Sequence, residues 1–375
     1  MTHIVHFGKY YFPDSGGIES VTVSLAKGAV LAGYSVTVVC FEKTSANKRE
    51  VIDGVQIIRA PIAKLLASQP LGFQYFLQCF SAARKADVVH LHTPNMLGAL
   101  CALFIPPRKK LLVHWHSDVL NKGILGKILR PLETALLRRA HSIIATSQVY
   151  ADASQTLAPF KNKITVVPIG VTDAKHGVNA SDLPAALASQ IGGRRIILAV
   201  GRLVPYKGFS VLIEAAKHFT DNSVVVIVGA GSLQQELQQA IKTNKLGDRV
   251  ILAGRLNDAT LHALFRLATI YCLPSTYRAE AFGVVLIEAM SYGLPIVASD
   301  IPGSGVPWVN QHGVSGLNVA IGDAKALAEA CNQILESEDL RSTLSKGARQ
   351  RFLAEFTEDV SVKRMISVYD NLLTG

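Results

Sequence analysis

Two cations and two carboxylates in the second half of the chain are spaced like parts of one ligand site. Arg202 and Lys207 lie in GRLVPYKG, at the end of an apolar run from Ile196 to Val200. Glu280 and Glu288 lie in EAFGVVLIE, around the start of a helical stretch, with Gly283 between them. On an ordinary surface two such cations are simply solvated. Here they follow a strand that reads as buried, flank Pro205, and precede Gly208 and a helix starting near Phe209. Cations beside a helix N-terminus suit a diphosphate, and carboxylates, which only accept, suit sugar hydroxyls. Together they describe a pocket for a nucleotide-diphospho-sugar. Each fixed cation facing the departing diphosphate contributes roughly 3–4 kcal/mol in the transition state.

Taken alone, Glu280 and Glu288 could belong to any capped helix, with Glu280 favouring the dipole. Their neighbours point elsewhere. Ala281, Phe282 and Gly283 can turn backbone N–H groups toward a ligand, while Glu288 falls among Val284, Val285, Leu286, Ile287 and Ala289. A carboxylate in such apolar company needs partners, and a ribose 2′,3′-diol supplies two donors. In the first half, Gly16-Gly17 in YYFPDSGGIES precedes the helical stretch Ile18–Leu31. Paired glycines free the backbone to approach a phosphate at that helix start, although Gly-Gly is most often only a turn.

His90 and His92, then His114 and His116, alternate at the ends of two further apolar runs. Alternation places both rings of a pair on one strand face. No carboxylate or cysteine joins them at metal-ligand spacing, so no metal is assigned. His90 and His114 read as packed, and His116 in HWHSDVL as the ring that enters a cleft beside Asp118. The chain has no Asp-x-Asp. A divalent ion bridging the diphosphate is therefore not indicated, and Arg202 with Lys207 take its place.

The elements that must position these groups follow a repeating plan. Apolar runs alternate with amphipathic stretches from end to end, the pattern of parallel α/β sheets. Strands are expected near His3–Phe7, Ser35–Cys40, Val55–Ile58, Asp87–His92, Lys110–His114, Ser142–Thr146 and Ile164–Val167. A second series runs Arg195–Val200, Ser223–Val228, Val250–Leu252, Ile270–Leu273, Pro295–Ala298 and Leu317–Val319. The expectation is two Rossmann-like domains facing each other across a cleft: residues 1–172, a linker at 173–193, and residues 194–355. A C-terminal helix at 356–375 is available to pack back on the first domain. At 375 residues and 49% hydrophobic content the chain is long enough for two cores. Open parallel sheets bind ligands beyond the carboxyl ends of their strands.

Five scattered cysteines without a CxxC pair fit a reducing compartment. The longest apolar run, Met96 to Ile105, ends at Pro106-Pro107 and falls short of the ~20 residues a membrane span needs. HIVHF runs straight into a glycine-containing loop, with no secretory signal pattern. The charge is uneven: residues 1–175 hold 20 Lys+Arg against 10 Asp+Glu, and residues 176–375 hold 18 against 18. The basic half therefore faces something anionic. Arg108, Lys109 and Lys110 precede a strand, and Lys122, Lys127, Arg130, Arg138 and Arg139 flank a stretch rich in Ile and Leu, including Ile124, Leu125, Ile128, Leu129, Leu132, Leu136 and Leu137. A basic-bordered apolar face suits an anionic membrane, although a core-packed helix with a solvated rim reads equally well.

In order, HFGKYYFPDSGGIESV, DVVHLHTP, HWHSDV, VVPIG, GRLVPYKG, EAFGVVLIE and the SGL at Ser315 resemble the retaining family 4 glycosyltransferases of the GT-B fold. The E-x7-E element with its upstream Arg/Lys pair is the specific part; the glycine loops are not. The resemblance implies sugar transfer from a nucleotide donor with retained configuration, by same-face attack in which the leaving phosphate helps deprotonate the acceptor. It implies that Arg202 and Lys207 bind the diphosphate, Glu288 the ribose and Glu280 the sugar hydroxyls. Gly16 and Gly17 would approach the phosphates, and His116 would touch the sugar near C6. Arg255, Leu256, Ala281, Phe282, Gly283 and Val284 complete the donor set. One departure is GSGVPWVN, where family members often carry an acidic residue before an apolar pair.

KYYFPDSGGIE and HSD most resemble bacterial enzymes that assemble O-antigen or capsule. These imply GDP-mannose first, with a UDP-hexose or UDP-N-acetylhexosamine as the alternative. The nucleotide sugar is a co-substrate, and no cofactor is implied. The acceptor this resemblance implies is a glycan or polyprenyl-diphosphate-linked oligosaccharide, and the expected location is cytoplasmic, on the inner face of the cytoplasmic membrane. A dehydrogenase would need G-x-G-x-x-G after the first strand, which Gly8 to Gly17 do not supply. An epimerase or hydrolase on the same fold would turn over the donor without acceptor. A nucleic-acid binder should interleave aromatics with Lys and Arg, and this chain does not.

Overall fold

The computed structural model describes residues 1–14, 16–42, 47–66, 69–119, 123–174, 183–220 and 222–374, with backbone alone at 123–128. Lys122 lies outside the described residues, as do the side chains of Ile124, Leu125, Lys127 and Ile128. Contacts divide the chain into two compact units. One comprises Met1–Val171 together with Glu358–Gly375, and the other Thr172–Thr357.

The first unit contains β1 (His3–Phe7), β2 (Ser35–Glu42), β3 (Lys48–Ile52), β4 (Val55–Pro61), β5 (Lys64–Leu66), β6 (Gln69–Leu71), β7 (Val88–Thr93), β8 (Lys110–Trp115), β9 (Ser142–Ala145) and β10 (Ile164–Val166). Eight of these form one sheet in the order β10-β9-β8-β7-β1-β2-β4-β3, while β5 and β6 form a separate hairpin. All pairs in the large sheet are parallel except β3 with β4. Register sets His6 opposite His90 and His92 opposite His114. Strands β3, β5 and β6 were not expected from the sequence. KREVI at β3 is polar and largely exposed, because an edge strand needs no apolar run to find its partner.

The second unit contains β11 (Arg195–Val200), β12 (Ser223–Val228), β13 (Val250–Gly254), β14 (Ala268–Leu273), β15 (Ile296–Ser299) and β16 (Gly316–Val319), ordered β13-β12-β11-β14-β15-β16 and parallel throughout. SVVVIV at β12 is buried along its whole length, as a strand covered on both faces must be. Ile197, Ala199, Ile227, Cys272 and Ile334 belong to one apolar cluster beneath the helices, and each fully buried Ile there contributes about 1.5–3 kcal/mol. Cys331 is in the same cluster, and all five cysteines are free and buried.

One segment differs from expectation. The stretch 173–193, read as a linker, carries the helix Ala185–Ile191, which buries Leu187 and Ile191 and stops at Gly192 in the left-handed region. Its Ala and Leu content favours a helix as much as a connector. Asp173, at the start of that stretch, forms a two-pronged ion pair with Arg349 at 2.6 and 2.7 Å inside the second unit. The helix Glu358–Thr374 packs on Gly17–Leu31 of the first unit, with Val362 against Gly28 and the Ser361 hydroxyl donating to the Pro168 carbonyl at 2.8 Å. Among the described residues no helix is long and apolar enough to cross a membrane.

Candidate active site

Strand β11 ends at Val200, and the chain turns through a single 3-10 turn, Pro205–Lys207, into the helix Phe209–Ala215. Gly208 makes that turn at φ +67°, and a Cβ there would strike the Pro274 carbonyl oxygen. Only glycine satisfies both conditions. The turn folds Lys207 back over Gly201, so that its ammonium is buried and meets Glu280 Oε2 at 2.6 Å. Arg202 stays exposed and donates to the Tyr206 hydroxyl at 3.2 Å.

Glu280 sits in the loop after β14, four residues ahead of the helix Val284–Ser291 rather than at its first turn. Its Oε2 also accepts from the Ser275 hydroxyl at 3.0 Å, and its carbonyl from the Ser304 hydroxyl. Both side-chain bonds fall on Oε2, so Oε1 is the oxygen left for a ligand hydroxyl. Thr276 N–H donates to the Tyr206 carbonyl at 2.8 Å, tying the two loops together. The sequence marked Lys207 and Glu280 as separate ligands; the structure joins them in one buried ion pair. Ser275 and Ser304 were not marked. Ser304 lies in the run that departs from the family pattern, and it fixes Glu280 directly.

Gly283 caps the next helix at φ +80° with no side-chain cap, so the first N–H groups have no intrahelical partner. Ala281 and Phe282 are buried; the Phe282 ring lies 6.3 Å from Trp308 and 6.0 Å from Phe356. Phe282 is thus a packing residue whose backbone alone can face a ligand. Val284 and Glu288 are part-buried on that helix. Burial pushes the Glu288 carboxyl up to about 7; Lys207 works against this and Asp258 adds to it. Arg255 is exposed and Leu256 part-buried just after β13.

In the first unit Gly16 and Gly17 are exposed at the start of the helix Gly17–Leu31. Gly16 has φ 170°, ordinary extended backbone, so no left-handed turn calls for glycine at that position. The preceding loop is held by residues the sequence did not flag. Buried Arg59 pairs with Glu50 at 2.6 Å and donates to the carbonyls of Tyr11 and Phe12. Tyr75 and Asn95 both donate to the Gly8 carbonyl, at 2.9 and 3.1 Å.

His116 is buried, with Nε2 3.1 Å from His92 Nδ1. Asp118 accepts from the Trp115 indole at 2.8 Å and the Ser154 hydroxyl at 2.7 Å, so it braces the loop after β8. His90 and His114 are buried as expected, and His6 from β1 joins them. Separately, Asn95, Trp115, Leu129, Leu136 and Glu133 line a small hollow. Burial, reinforced by Asp118, raises the Glu133 carboxyl to about 7. Leu129, Leu136 and Leu137 are buried, so the described part of that helix packs inward and does not present the apolar membrane face expected of it. Arg139 is pinned to the Pro106 and Lys109 carbonyls at 3.1 Å, and among the described side chains of that stretch Arg130 and Arg138 are the exposed cations.

The family model for glycosyl transferases group 1 matches residues 188–351, and that for glycosyltransferase family 4 matches residues 15–175. The chain is 29% identical to an O-antigen chain mannosyltransferase C of Escherichia coli, over 99% of this chain and 98% of that one. It is 31% identical to the D-rhamnosyltransferase WbpZ of Pseudomonas aeruginosa, over 94% and 92%. A sucrose-phosphate synthase from Thermosynechococcus elongatus superposes with a TM-score of 0.79 at 22% identity, covering 100% of both chains. That likeness establishes the GT-B fold, and the sequence matches establish more: the chain belongs to glycosyltransferase family 4.

Proposed function

We propose that this glycosyltransferase moves a hexose from a nucleotide-diphospho-sugar, GDP-mannose first, onto a glycan or polyprenyl-diphosphate-linked acceptor during surface polysaccharide assembly. The observation that carries the reading is the buried Lys207–Glu280 pair at the end of β11. An ammonium has three donors, so Lys207 can keep Glu280 and still hold a phosphate oxygen beside Arg202. Glu280 Oε1 and the Glu288 carboxyl then accept from sugar and ribose hydroxyls. As the bond to the diphosphate breaks, Lys207 stabilises the charge that develops. The acceptor oxygen bonds to the same face, and the leaving phosphate takes its proton. The manno configuration is supported by the two relatives, since D-rhamnose is mannose without its 6-hydroxyl. In this reading His116 meets the sugar near C6.

The membrane-facing part of the reading rests on a different surface from the one the sequence suggested. Phe73, Leu77, Leu100 and Phe104 are exposed on the helices Phe73–Lys85 and Met96–Leu103, which meet through the Phe76–Phe104 ring contact, and Arg108 is exposed just beyond. Apolar residues beside cations fit an anionic lipid surface.

Donor turnover in EDTA with an acceptor-bearing membrane extract tests the reading. GDP-mannose should be consumed with its configuration retained. Consumption of UDP-sugars alone overturns the donor, an absolute need for Mn²⁺ or Mg²⁺ overturns metal independence, and turnover without acceptor returns the hydrolase alternative.

A further inference from the structure

One face of the first sheet carries more histidine chemistry than a single sugar contact requires. His6, His90, His92, His114 and His116 are all buried there, on β1, β7, β8 and the residue after it. They form two edge-to-edge chains. In one, His6 Nδ1 lies 3.0 Å from His92 Nε2, and His92 Nδ1 lies 3.1 Å from His116 Nε2. In the other, His90 Nε2 lies 3.3 Å from His114 Nδ1. The chains are layered, His90 over His92 at 4.4 Å and His114 over His116 at 4.1 Å. Both start at the Tyr369 hydroxyl, 2.7 Å from His90 Nδ1 and 3.5 Å from His6 Nε2.

Two trios, His6 with His90 and His92, and His92 with His114 and His116, bring ring nitrogens within 4.8 Å of one another. In each trio one ring lies face to face on a second, so their lone pairs run in separate layers instead of converging on an ion. The arrangement instead orders protons. A neutral imidazole has one N–H and one lone pair. When both nitrogens of each linking ring are engaged, a chain can point only one way. Tyr369 has a single hydroxyl hydrogen, so it gives to one chain and accepts from the other. Only two patterns satisfy every contact: all five rings protonated on Nδ1, or all five on Nε2.

The open end decides between them. His114 Nε2 is buried without a partner. The second pattern would strand an N–H there, the first only a lone pair, and a stranded N–H is the rarer and costlier defect. Burial keeps the rings neutral, holding His6 and His116 down to about 3 and His90, His92 and His114 well below the usual range. We propose that Tyr369, His6 and His92 are positioning residues that hold His116 in the Nδ1–H form, a donor for an oxygen of the transferred sugar. This rests on the reading that His116 touches that sugar. A 6-hydroxyl is such an oxygen, and a 6-deoxy sugar lacks it.

Long-range proton–nitrogen spectra of the full chain labelled with ¹⁵N-histidine report which ring nitrogen carries hydrogen. All five rings should show Nδ1–H, unchanged by zinc. Nε2–H at His116, mixed forms along the chains, or a zinc-induced coordination shift overturns the proposal, and this measurement needs no variant. Tyr369→Phe keeps the ring and removes the hydroxyl. It should lower kcat with GDP-mannose by roughly three- to tenfold, with KM within about twofold and a smaller change for GDP-D-rhamnose. Equal losses with both donors mark a purely structural role and overturn it. His116→Ala separates the two readings: if it fails to distinguish the two donors, the sugar contact itself is wrong, whatever the spectra show.

Discussion

At the end of β11 the protein buries charge: Lys207 against Glu280, with Glu288 nearby. At the ends of β1, β7 and β8 it buries five imidazoles that carry none. Both are polar groups set into a parallel sheet's carboxyl end, yet they do different work. A buried ion pair holds a strong local field ready for a ligand's charge, and it becomes unstable when one member is missing. A neutral imidazole chain supplies no net field. What it fixes is direction, namely which atom of the last ring presents hydrogen. Charge stabilises and proton order aims.

Removing one charge should be the most damaging change. Lys207→Met should cost about 3–5 kcal/mol in urea unfolding, because Glu280 is left buried and unpaired. It should also slow turnover by roughly 10²–10³-fold. Adding Glu280→Met should recover most of the stability and none of the activity. If the single variant loses less than about 1 kcal/mol, the pair is effectively solvated and the contrast with the histidines disappears.

Glu288 gives the next effect. Its carboxyl is raised from 4.5 to about 7 by burial. Between those values the folded protein holds a proton that the unfolded chain releases. The stabilising contribution is therefore complete below about pH 4.5 and lost as pH rises through 7. Glu288→Gln should flatten the fall in stability from pH 5 to pH 8 by roughly 2 kcal/mol, measured by urea unfolding at both pH values. An unchanged slope would mean that Glu288 is ionised throughout.

The smallest effect is expected on the neutral side. His114→Leu removes one hydrogen bond together with an unpartnered nitrogen, so stability should move by less than about 1 kcal/mol in either direction. A loss of 3 kcal/mol or more would place the histidine face in the same class as the ion pair.

The sequence exposed the charged site more fully than the neutral one. Arg202, Lys207, Glu280 and Glu288 were visible because each lies within a few residues of a strand end or helix start. That Lys207 and Glu280 bond to each other, 73 residues apart, was not. The HxH alternation at two strands was visible, but His6 has no such neighbour, and it joins them only through the β1–β7 register. Tyr369 stands 279 residues from His90, and nothing local connects them. Buried strands declared themselves through apolar runs, while β3 and the β5–β6 hairpin did not, having little to bury. Arg59 looks like one more cation of a basic half until its burial beneath the Tyr11–Phe12 carbonyls is known.

The return of the helix Glu358–Thr374 to the first unit has a consequence for how the molecule is made. Val171 and Glu358 are joined by a backbone hydrogen bond of 3.0 Å, yet the 186 residues of the other unit are synthesised between them. At about 5–20 residues per second that interval is roughly 10–40 s. Throughout it the first sheet must wait on the ribosome with the surface that Tyr369 later covers still open. The second unit, contiguous in the chain, can finish first. A nascent chain would thus complete the Lys207–Glu280 pair before its histidines are sealed, and premature release would yield a protein with a finished second unit and an unfinished first.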